Sequence, residues 1–262
     1  MSALSESPVL TAVAGGVATV TLNRPQARNA LSVALMTELE ATLARLAAER
    51  DVRVVVLAAN GPAFCAGHDL KEMQALDGRE AVAAVFAQCS RMMTAIVRLP
   101  QPVIARVHAM ATAAGCQIVA SCDLAVAAET AHFATPGVNI GLFCSTPMVA
   151  LSRAVGRKQA MEMLLSGRPV DAATAAAWGL VNRAVPAADL DAAVAEYAAL
   201  IASKSPHAVK VGKEAFYRQA EMGLDDAYAY AARVMTENML ARDAAEGIDA
   251  FLAKRPPVWQ GC

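Results

Sequence analysis

The chain has 262 residues, of which 56% are hydrophobic and 18% are charged, and its formal net charge is −1. This length fits one large domain, or one domain with a small addition, and the composition excludes a disordered chain. The near-neutral charge argues against nucleic-acid binding, which needs a basic surface, and the lack of an uninterrupted apolar run of membrane-spanning length predicts no membrane association.

The N-terminal part of the chain predicts a strand, a helix and a second strand. Residues 17–22 are short and rich in β-branched side chains, and Asn23-Arg24-Pro25 ends the run. The continuous apolar run at residues 52–58 predicts a strand buried on both faces, as in an α/β protein. Between the two strands, Ser32 can cap a helix whose apolar residues recur three and four apart: Met36, Leu39, Leu43 and Leu46.

The next part predicts a long helix at residues 79–98, then a buried strand at 103–107. A turn of small residues at 109–115 leads into a short helix, and residues 122–127 predict a further strand. A unit of strand, small-residue turn and short helix therefore occurs twice, which indicates a stacked α/β arrangement with the turns on one side. The inward side chains predicted for the long helix are Val82, Val85, Phe86, Cys89, Met92, Met93 and Ile96.

The remainder of the chain predicts mostly helices. Thr146 precedes Pro147 as a capping hydroxyl before a first-turn proline, and Gly156 lies where that helix should stop. We predict an α/β core over residues 1–200 and a helical region over residues 201–262 that packs onto the core or onto a neighbouring copy. The predicted helices are 189–203, 206–219, 224–241 and 244–254.

The cysteines and the N-terminus predict an intracellular protein. None of the six cysteines forms a C-x-x-C pair and four lie in apolar or small-residue stretches, which favours reduced, buried thiols. The first 20 residues contain Glu6 and no Arg or Lys, and they lack the pattern of a secretory signal. The resulting prediction is a cytoplasmic location. The cysteines are Cys65, Cys89, Cys116, Cys122, Cys144 and Cys262.

Four stretches, in order along the chain, carry a resemblance to a known family. They are ATVTLNRPQARNAL (18–31), VVVLAANGPAFCAGHDLKEM (54–73), PVIARVHAMATAAGCQIVASCDLAVAAETAHFATPGVNIGL (102–142) and SGRPVDAATAAAWGLVNRAVP (166–186). They resemble the enoyl-CoA hydratase/isomerase (crotonase) superfamily, in which the second and third stretches match the two oxyanion-hole segments. The runs ATAAGCQ, SCDLAVA, FATPGVN and GLFCSTP are most similar to the enoyl-CoA hydratase domain-containing protein 3 subgroup.

The resemblance implies an α/β fold built as a spiral of ββα units, followed by C-terminal helices that drive trimerisation, often as a dimer of trimers. It implies an acyl-CoA thioester as the ligand, with coenzyme A as part of the substrate and with no permanently bound cofactor or metal. The thioester carbonyl would lie between the backbone N–H groups of His68 and Ala114. Two such donors stabilise the negative charge of an enolate, and the small residues Gly67 and Gly115 permit the close approach this needs.

Two substitutions in the catalytic positions bear on activity. Family hydratases use two glutamates, and the aligned positions hold Gln117 and Gly137. Glutamine can hold a water molecule but cannot take up a proton, and glycine supplies neither function. We therefore predict weak or absent hydration. The alternatives are isomerisation, or decarboxylation because the Gly-His-Asp run at His68 resembles methylmalonyl-CoA decarboxylase, or acyl-CoA binding without turnover.

The resemblance also assigns coenzyme-binding positions, each with a competing structural interpretation. His68 could serve catalysis or only packing, Asp69 could cap a helix, and Arg28 and Lys71 could be solvated surface charges. Cys144 lies in the expected acyl-pocket wall but has no adjacent base that would make it a nucleophile. The coenzyme-binding candidates are Arg28, His68, Asp69, Leu70, Lys71 and Gly115, and further candidates are Asn139 near the acyl pocket and Lys210, Lys213 and Lys254 from a neighbouring subunit. We interpret His108 and His132 as structural.

Overall fold

The computed structural model describes residues 7–262, so residues 1–6 of the predicted core, including Glu6, lie outside the described residues. The strands are β1 (Val9–Ala14), β2 (Val17–Leu22), β3 (Val54–Ala59), β4 (Val103–Val107), β5 (Ala111–Thr112), β6 (Leu124–Ala128), β7 (His132–Ala134), β8 (Val170–Asp171) and β9 (Arg183–Val185). The helices are α1 (Val33–Ala48), α2 (Leu70–Gln74), α3 (Gly78–Arg98), α4 (Ala114–Ser121), α5 (Pro147–Ala154), α6 (Arg157–Ser166), α7 (Ala172–Trp178), α8 (Leu190–Ala202), α9 (Pro206–Gln219), α10 (Leu224–Met239) and α11 (Arg242–Leu252).

The strands form two sheets. The larger sheet has six strands in the order β1-β2-β3-β4-β6-β9, in which β1 pairs antiparallel with β2 and all other neighbours are parallel. The smaller sheet has the order β5-β7-β8, with β5 and β7 parallel. β3 is buried at every position, as its continuous apolar sequence predicts for a parallel strand covered on both sides.

Successive turns of the chain place one strand in each sheet and then a helix. β4 lies in the larger sheet, β5 in the smaller one, and α4 follows; β6 and β7 repeat the strand pair. The preceding turn has β3 in the larger sheet, but only one residue takes the place of the second strand. That residue is Cys65, which pairs with Ala111 of β5 in an isolated parallel bridge. This is the predicted spiral of ββα units, so the fold prediction is confirmed.

Most predicted elements are confirmed, with small shifts of their ends. Ser32 caps α1, since its hydroxyl oxygen accepts the amide of Leu35 at 3.1 Å. The capping prediction at Thr146 is wrong: α5 does begin at Pro147, but Thr146 already has helical dihedral angles and its side chain makes no capping hydrogen bond within the described chain. Val82 and Phe86 in α3 are only partly buried.

The main core lies between the larger sheet, α1 and α3. The side chains of Leu35, Leu39 and Leu43 are buried to 1% exposure or less, and α3 supplies Met92 and Ile96 to the same cluster. α3 is also long and apolar enough to pass as a membrane span by length and composition. Its amphipathic packing against this core accounts for that apolar character.

The burial of the cysteines agrees with the prediction, with one exception. Cys65, Cys89, Cys116, Cys122 and Cys144 are free and buried, whereas Cys262 is free and exposed. Burial raises the pKa of the Cys65, Cys89 and Cys116 thiols to about 12. These thiols therefore stay protonated and unreactive near neutral pH.

A buried ion pair attaches the C-terminal helices to the α/β core. In α9, the Nζ of Lys213 lies 2.6 Å from a carboxylate oxygen of Asp123, and it also donates to the carbonyls of Ile96 and Gln101. The hydroxyl of Tyr217, one turn later, donates to the other carboxylate oxygen at 3.0 Å. The side chain of Lys213 is 7% exposed. Burial lowers its pKa, and the adjacent carboxylate of Asp123 opposes that shift.

The chain end folds back against the start of α9 and α11. The carboxylate of Asp243 accepts the hydroxyl of Ser205 at 2.5 Å and the amide of Gln260 at 2.7 Å, and the indole of Trp259 donates to the carbonyl of Ser203. Burial alone would raise the pKa of Asp243, but these hydrogen bonds hold it below the ordinary value. Hydrogen bonds from Arg255 and from the amide of Val258 lower the pKa of Glu246 to about 2.

We expect this C-terminal tail, residues 255–262, to detach as the pH falls from about 4.5 toward 2. A carboxylate whose pKa is lowered by folding contributes stability above its unfolded-state value, and that contribution is lost as the pH falls through the folded-state value. For Glu246 these values are 4.5 and about 2. The measurement is Trp259 fluorescence in a Trp178→Phe background during acid titration. Glu246→Gln removes the titrating group and should loosen the tail already at neutral pH; an unchanged acid transition in this variant would contradict the assignment.

Candidate active site

Three segments meet at the carboxyl ends of the parallel strands β3 and β4. The amide of Thr112 donates to the carbonyl of Cys65 at 2.9 Å, which joins the turn after β3 to the turn after β4. The amide of Ala113 donates to the carbonyl of Ala134 at 2.8 Å, which adds the end of β7. Ligands of parallel α/β sheets bind beyond the carboxyl ends of the strands, so this edge is the expected place for a site.

The amides of His68 and Ala114 are among the N–H groups at this edge that have no acceptor within residues 7–262. Leu31 and His68 lie side by side in an isolated parallel bridge. The amide of Leu31 donates to the carbonyl of Gly67, and the amide of Asp69 donates to the carbonyl of Leu31. The amide of His68 makes no backbone hydrogen bond within residues 7–262. Ala114 is the first residue of α4 and its amide likewise has no acceptor among residues 7–262. Free amides at a helix start favour a negatively charged oxygen. Each of the two amides is therefore available to a ligand oxygen.

The backbone segments around these two amides are in van der Waals contact and leave no room for larger side chains. A Cβ atom added to Gly67, whose φ is +91°, would lie 3.5 Å from the amide nitrogen of Ala114 and 2.9 Å from the Cβ of Ala113. A Cβ on Gly115 would lie 2.1 Å from the carbonyl oxygen of Cys65. Ala113 itself has φ 50° and ψ −118°, a conformation that costs an alanine about 1–3 kcal/mol. The turns are in contact only because these residues are small.

We expect Gly115→Ala to separate the two turns. The added methyl group must displace the backbone of Cys65, so the free energy of unfolding should fall by about 2–3 kcal/mol or more. Thermal unfolding measures the loss, and binding of an anionic ligand at the two amides should be lost with it. Gly212→Ala in α9 is the matched control, because a Cβ there meets nothing within 4 Å. Helix propensity predicts that this control is neutral or slightly stabilising, and equal losses in both variants would contradict the argument.

The N-terminal turn adds a fourth segment beside His68. The amide of Ala66 donates to the carbonyl of Arg28 at 3.1 Å, and the amide of Leu31 donates to the carbonyl of Gly67 at 2.7 Å. Asn29 fixes this turn: it is fully buried, and its side-chain amide donates to the carbonyls of Asn60 and Ala63, both at 2.8 Å. The sequence gives no signal for this role of Asn29, because the two carbonyls that accept its side-chain amide are more than thirty residues away.

The predicted coenzyme-binding residues lie around this turn. The side chains of Arg28, Leu70 and Lys71 are exposed, with Leu70 58% exposed. Asp69 caps α2, since its carboxylate accepts the amide of Lys71 at 3.2 Å, and it also forms an ion pair with Arg24 at 3.2 Å. Burial acts to raise the pKa of Asp69, but the hydrogen bonds from Arg24 and the helix amides lower it below the ordinary value. Asp69 is thus a structural cap, and sequence reasoning missed its partner Arg24.

The imidazole of His68 lies partly buried against α3. Its ring centroid is 5.4 Å from that of Phe86 in an edge-on arrangement, and its Nε2 is buried without a hydrogen-bond partner. Burial lowers the pKa of His68 below its ordinary value near 6.5. The imidazole is therefore neutral at physiological pH and is able to accept or donate one hydrogen bond.

Gln117 and Thr135 carry two further unpartnered atoms. Gln117 is 4% exposed and lies one turn into α4, three residues from Ala114; its Oε1 has no partner. Thr135 is fully buried directly after Ala134, and its Oγ1 has no partner. A buried polar atom without a partner costs about 1–3 kcal/mol and calls for an explanation such as a ligand or an ordered water. The sequence did not single out Thr135.

Gly137 lies in a closed loop that leaves no room for a side chain. Its carbonyl accepts the amide of Leu142 at 2.9 Å. A Cβ atom at this position would lie 2.6 Å from the carbonyl oxygen of Leu142 and 2.9 Å from the Sγ of Cys144. The thiol of Cys144 is 8% exposed, and burial raises its pKa, opposed by a hydrogen bond from the backbone of Gly137. In its present conformation, therefore, the loop cannot hold a glutamate at position 137.

The remaining candidates lie apart from this cluster or are otherwise engaged. Asn139 is exposed and its amide lies against Gly167. His108 bonds to the carbonyl of Gly61 at 2.8 Å, and His132 is exposed. Lys213 is committed to Asp123 and is unavailable to a coenzyme, whereas Lys210 and Lys254 are exposed. Among residues 7–262, no group of three His, Cys, Asp or Glu side chains is arranged to hold a metal ion.

A concave region lies at the opposite edge of the larger sheet. This cavity of about 660 Å³ is lined by the loops that precede β3 and β4, by the start of α9 and by the C-terminal tail. It opens at the amino ends of the parallel strands, where α/β sheets do not ordinarily bind ligands. The two free amides and the orphaned atoms of His68, Gln117 and Thr135 lie on segments at the carboxyl edge, so the candidate site is placed there.

Comparison with known proteins gives one consistent family. A sequence model described as "Enoyl-CoA hydratase/isomerase" matches residues 12–262. The human protein named "Enoyl-CoA hydratase domain-containing protein 3, mitochondrial" is 48% identical over 244 residues, covering 93% of this chain and 80% of its own length. A crystal structure of an enoyl-CoA hydratase from Mycobacterium smegmatis superposes with a TM-score of 0.95 at 54% identity, covering 97% of this chain and 99% of that one. The crystal structure of the human domain-containing protein 3 gives a TM-score of 0.93 at 47% identity, covering 96% and 100%.

The comparisons correct the predicted location. Five curated relatives, from Rattus norvegicus, Mus musculus, Homo sapiens, Xenopus laevis and Danio rerio, are named mitochondrial. The prediction of a cytoplasmic protein, which rested on Glu6 and the lack of basic residues in the first 20, is wrong on this finding. Residue composition over so short a segment does not determine the compartment.

Proposed function

Because this chain belongs to the enoyl-CoA hydratase/isomerase family, we propose that it binds acyl-CoA thioesters and stabilises an enolate at the carbon next to the thioester carbonyl. One observation carries the proposal: the free amides of His68 and Ala114 lie in turns that are in direct contact through Gly67. Donors that are fixed before the reaction act on developing charge without reorganisation, and each contributes about 3–4 kcal/mol in known enzymes.

The coenzyme part of the ligand is assigned to the N-terminal turn and the start of α2. Arg28 and Lys71 are exposed cations beside the amide of His68, and the hydrogen bonds of Asn29 hold the turn in place. Exposed cations suit the phosphates of coenzyme A, which must stay accessible to solvent. Leu70, which is 58% exposed, offers an apolar surface next to them. Coenzyme A enters and leaves as part of the substrate, with no resident cofactor.

Within this proposal the protein is an enzyme whose ordinary hydration is weak. The imidazole of His68 is neutral at physiological pH and its Nε2 has no hydrogen-bond partner among residues 7–262, so it is the candidate base for the α-carbon. Proton removal and return at that carbon give isomerisation-type chemistry; the decarboxylase-like alternative uses the same amides. If no proton transfer occurs, the chain is an acyl-CoA-binding protein.

The test follows deuterium uptake at carbon 2 of butyryl-CoA in D₂O by NMR, together with calorimetry of butyryl-CoA binding. Binding with deuterium uptake supports the enzyme, and binding without uptake supports the binding protein. Because burial lowers the pKa of His68, uptake should persist as the pH falls below 6.5 and His68→Ala should abolish it. Absence of binding for every coenzyme A ester would refute the proposal.

We further propose that residues 201–262 mediate assembly with other copies of this chain, as a trimer or a dimer of trimers. Their helices expose large apolar side chains that a monomer would leave in water, and family resemblance supports a second copy as the partner. Light scattering of the purified protein measures the mass, and Leu240→Lys should reduce it. A monomer at micromolar concentration would contradict the assignment. The exposed large apolar side chains of residues 201–262 are Phe216, Met222, Leu224, Tyr228, Met235, Met239, Leu240, Ile248, Phe251, Leu252 and Val258.

A further inference from the structure

The cavity at the amino ends of the parallel strands carries more positive than negative charge. Its volume of about 660 Å³ is that of a small-molecule site. None of the charged side chains that line it forms an ion pair within residues 7–262. Even with a carboxylate at Cys262, its cations outnumber its anions, so the cavity favours a negatively charged ligand. The lining cations are Arg50, Arg53, Lys204 and Lys210, and the lining carboxylates are Glu49 and Asp51.

A buried residue in the lining of the same cavity carries an oxygen without a hydrogen-bond partner. Gln101 is 8% exposed, and its Nε2 donates to the carbonyls of Leu46 and Glu49 at 2.8 and 3.3 Å. These two bonds fix the orientation of the side-chain amide, so Oε1 is the atom left over, and it has no donor among the described residues. A buried acceptor of this kind calls for a ligand that donates a hydrogen bond.

The first turn of α9 and the C-terminal tail complete the wall of the cavity. The amide of His207, a lining residue, has no acceptor within residues 7–262, whereas the amide of Ala208 donates to the hydroxyl of Ser205 at 3.1 Å. A free amide at a helix start attracts a negatively charged oxygen. Trp259 also lines the cavity, and its indole N–H donates to the carbonyl of Ser203 at 2.8 Å. This bond holds an aromatic ring in the wall, where it suits a planar ligand ring.

The helices and the tail explain why a site is able to form at this edge of the sheet. Parallel sheets ordinarily bind ligands beyond the carboxyl ends of their strands, because the strand-to-helix turns lie there. At the amino ends, α9 and the tail fold across the loops that precede β3 and β4. Arg53 donates to the carbonyl of Lys204 at 2.7 Å, and Lys213 donates to the carbonyl of Gln101 at 3.1 Å. These bonds join segments more than one hundred residues apart and fix the walls relative to one another.

We propose that this cavity binds a nucleotide, with its phosphates at Lys204 and Lys210 and its base against Trp259. An amino or hydroxyl group of the nucleotide then donates to Oε1 of Gln101. Inorganic phosphate would use only the cations, and an uncharged aromatic molecule would use only the indole, so a nucleotide is the class that uses every feature of the wall. The site lies at the opposite edge of the sheet from the free amides of the candidate active site, and the inference does not depend on the proposed acyl-CoA function.

The experiment follows Trp259 fluorescence in a Trp178→Phe background while ADP is titrated into the whole chain. We expect saturable quenching by ADP. Adenosine should bind at least about tenfold more weakly, because it lacks the charge-assisted hydrogen bonds of the phosphates. Inorganic phosphate should compete with ADP without quenching the indole itself.

Lys204→Gln combined with Lys210→Gln tests the phosphate contacts. Both side chains are exposed and unpaired within the described chain, so the variant should keep the thermal midpoint of the parent while its affinity for ADP falls at least about tenfold. Lys71→Gln is the matched control, because it removes an equally exposed lysine from the proposed coenzyme site at the other edge. The response of Trp259 to ADP should be unchanged in this control.

Four results would overturn the inference. They are no quenching by ADP at millimolar concentration, equal affinities for ADP and adenosine, an unchanged affinity in the double lysine variant, or a loss in Lys71→Gln as large as in that variant. The last result would place ADP at the coenzyme site and make the indole a remote reporter. Failure of the acyl-CoA function looks different, because calorimetry with butyryl-CoA then gives no heat while the response of Trp259 to ADP remains.

Discussion

Purified protein is expected to hydrate crotonyl-CoA at least about 10⁴-fold more slowly than family members with both glutamates. Each positioned acid or base contributes about 10²–10⁴-fold, and this chain has Gln117 and Gly137 at the two positions. The measurement is the loss of enoyl-thioester absorbance under saturating substrate. Turnover of about ten per second or more, which is ordinary for enzymes, would contradict the prediction.

Restoring the glutamates should not restore the activity. A Cβ atom at position 137 lies 2.6 Å from the carbonyl oxygen of Leu142, so Gly137→Glu must distort the loop before any carboxylate reaches the substrate. We expect Gln117→Glu with Gly137→Glu to remain inactive and to unfold at a lower temperature than the parent. Gly137→Ala separates the two causes, because it adds the obstructing methyl group without a carboxylate. A stable, active double variant would show that the loop is adaptable.

Asp123→Ala is expected to lower the free energy of unfolding by about 3–5 kcal/mol. Removing one partner of a buried ion pair leaves the other charge uncompensated, which is the costly case. Here the stranded group is Lys213, whose side chain is 7% exposed, and the hydroxyl of Tyr217 loses its acceptor as well. Chemical denaturation monitored by circular dichroism measures the loss.

Two controls test whether the burial of the Asp123–Lys213 ion pair causes the expected loss of stability. Glu214→Ala breaks the ion pair with Arg218, in which both side chains are 59% exposed, and should cost less than about 1 kcal/mol. Asp123→Leu combined with Lys213→Met replaces the buried pair by apolar groups and should recover much of the stability, since such replacements are often neutral. A cost for Asp123→Ala no larger than that for Glu214→Ala would show that α9 is held mainly by apolar contacts.

The sequence predicted those parts of the fold that depend on local patterns. Ser32 and the leucines after it define α1 because a capping hydroxyl and a spacing of three and four residues are both local signals. β1 was missed because five of its six residues are exposed, so it carries no buried apolar pattern. The error at Thr146 has a similar origin: a cap requires extended dihedral angles, and neighbouring residues in the sequence do not reveal them.

The candidate site could be predicted only as far as its backbone. The resemblance predicted which amides belong to it, and the structure leaves those of His68 and Ala114 free. Whether they bind an oxygen stays a prediction. Asn29 was missed because its role depends on carbonyls contributed by distant segments, and Thr135 was missed because only the structure shows that its hydroxyl is buried without a partner among the described residues. Likewise, only the three-dimensional structure shows that Lys213 is bound to Asp123, ninety residues away.

The distribution of buried and exposed thiols allows the protein to be labelled at one site. Since Cys262 is the exposed cysteine and the other five are buried, a maleimide dye should attach at the chain end without mutagenesis. The dye would then lie beside Asp243, because the carbonyl of Cys262 accepts the amide of that residue at 2.9 Å. Single-molecule polarisation or energy transfer could follow the tail and count the copies in an assembly from one label per chain.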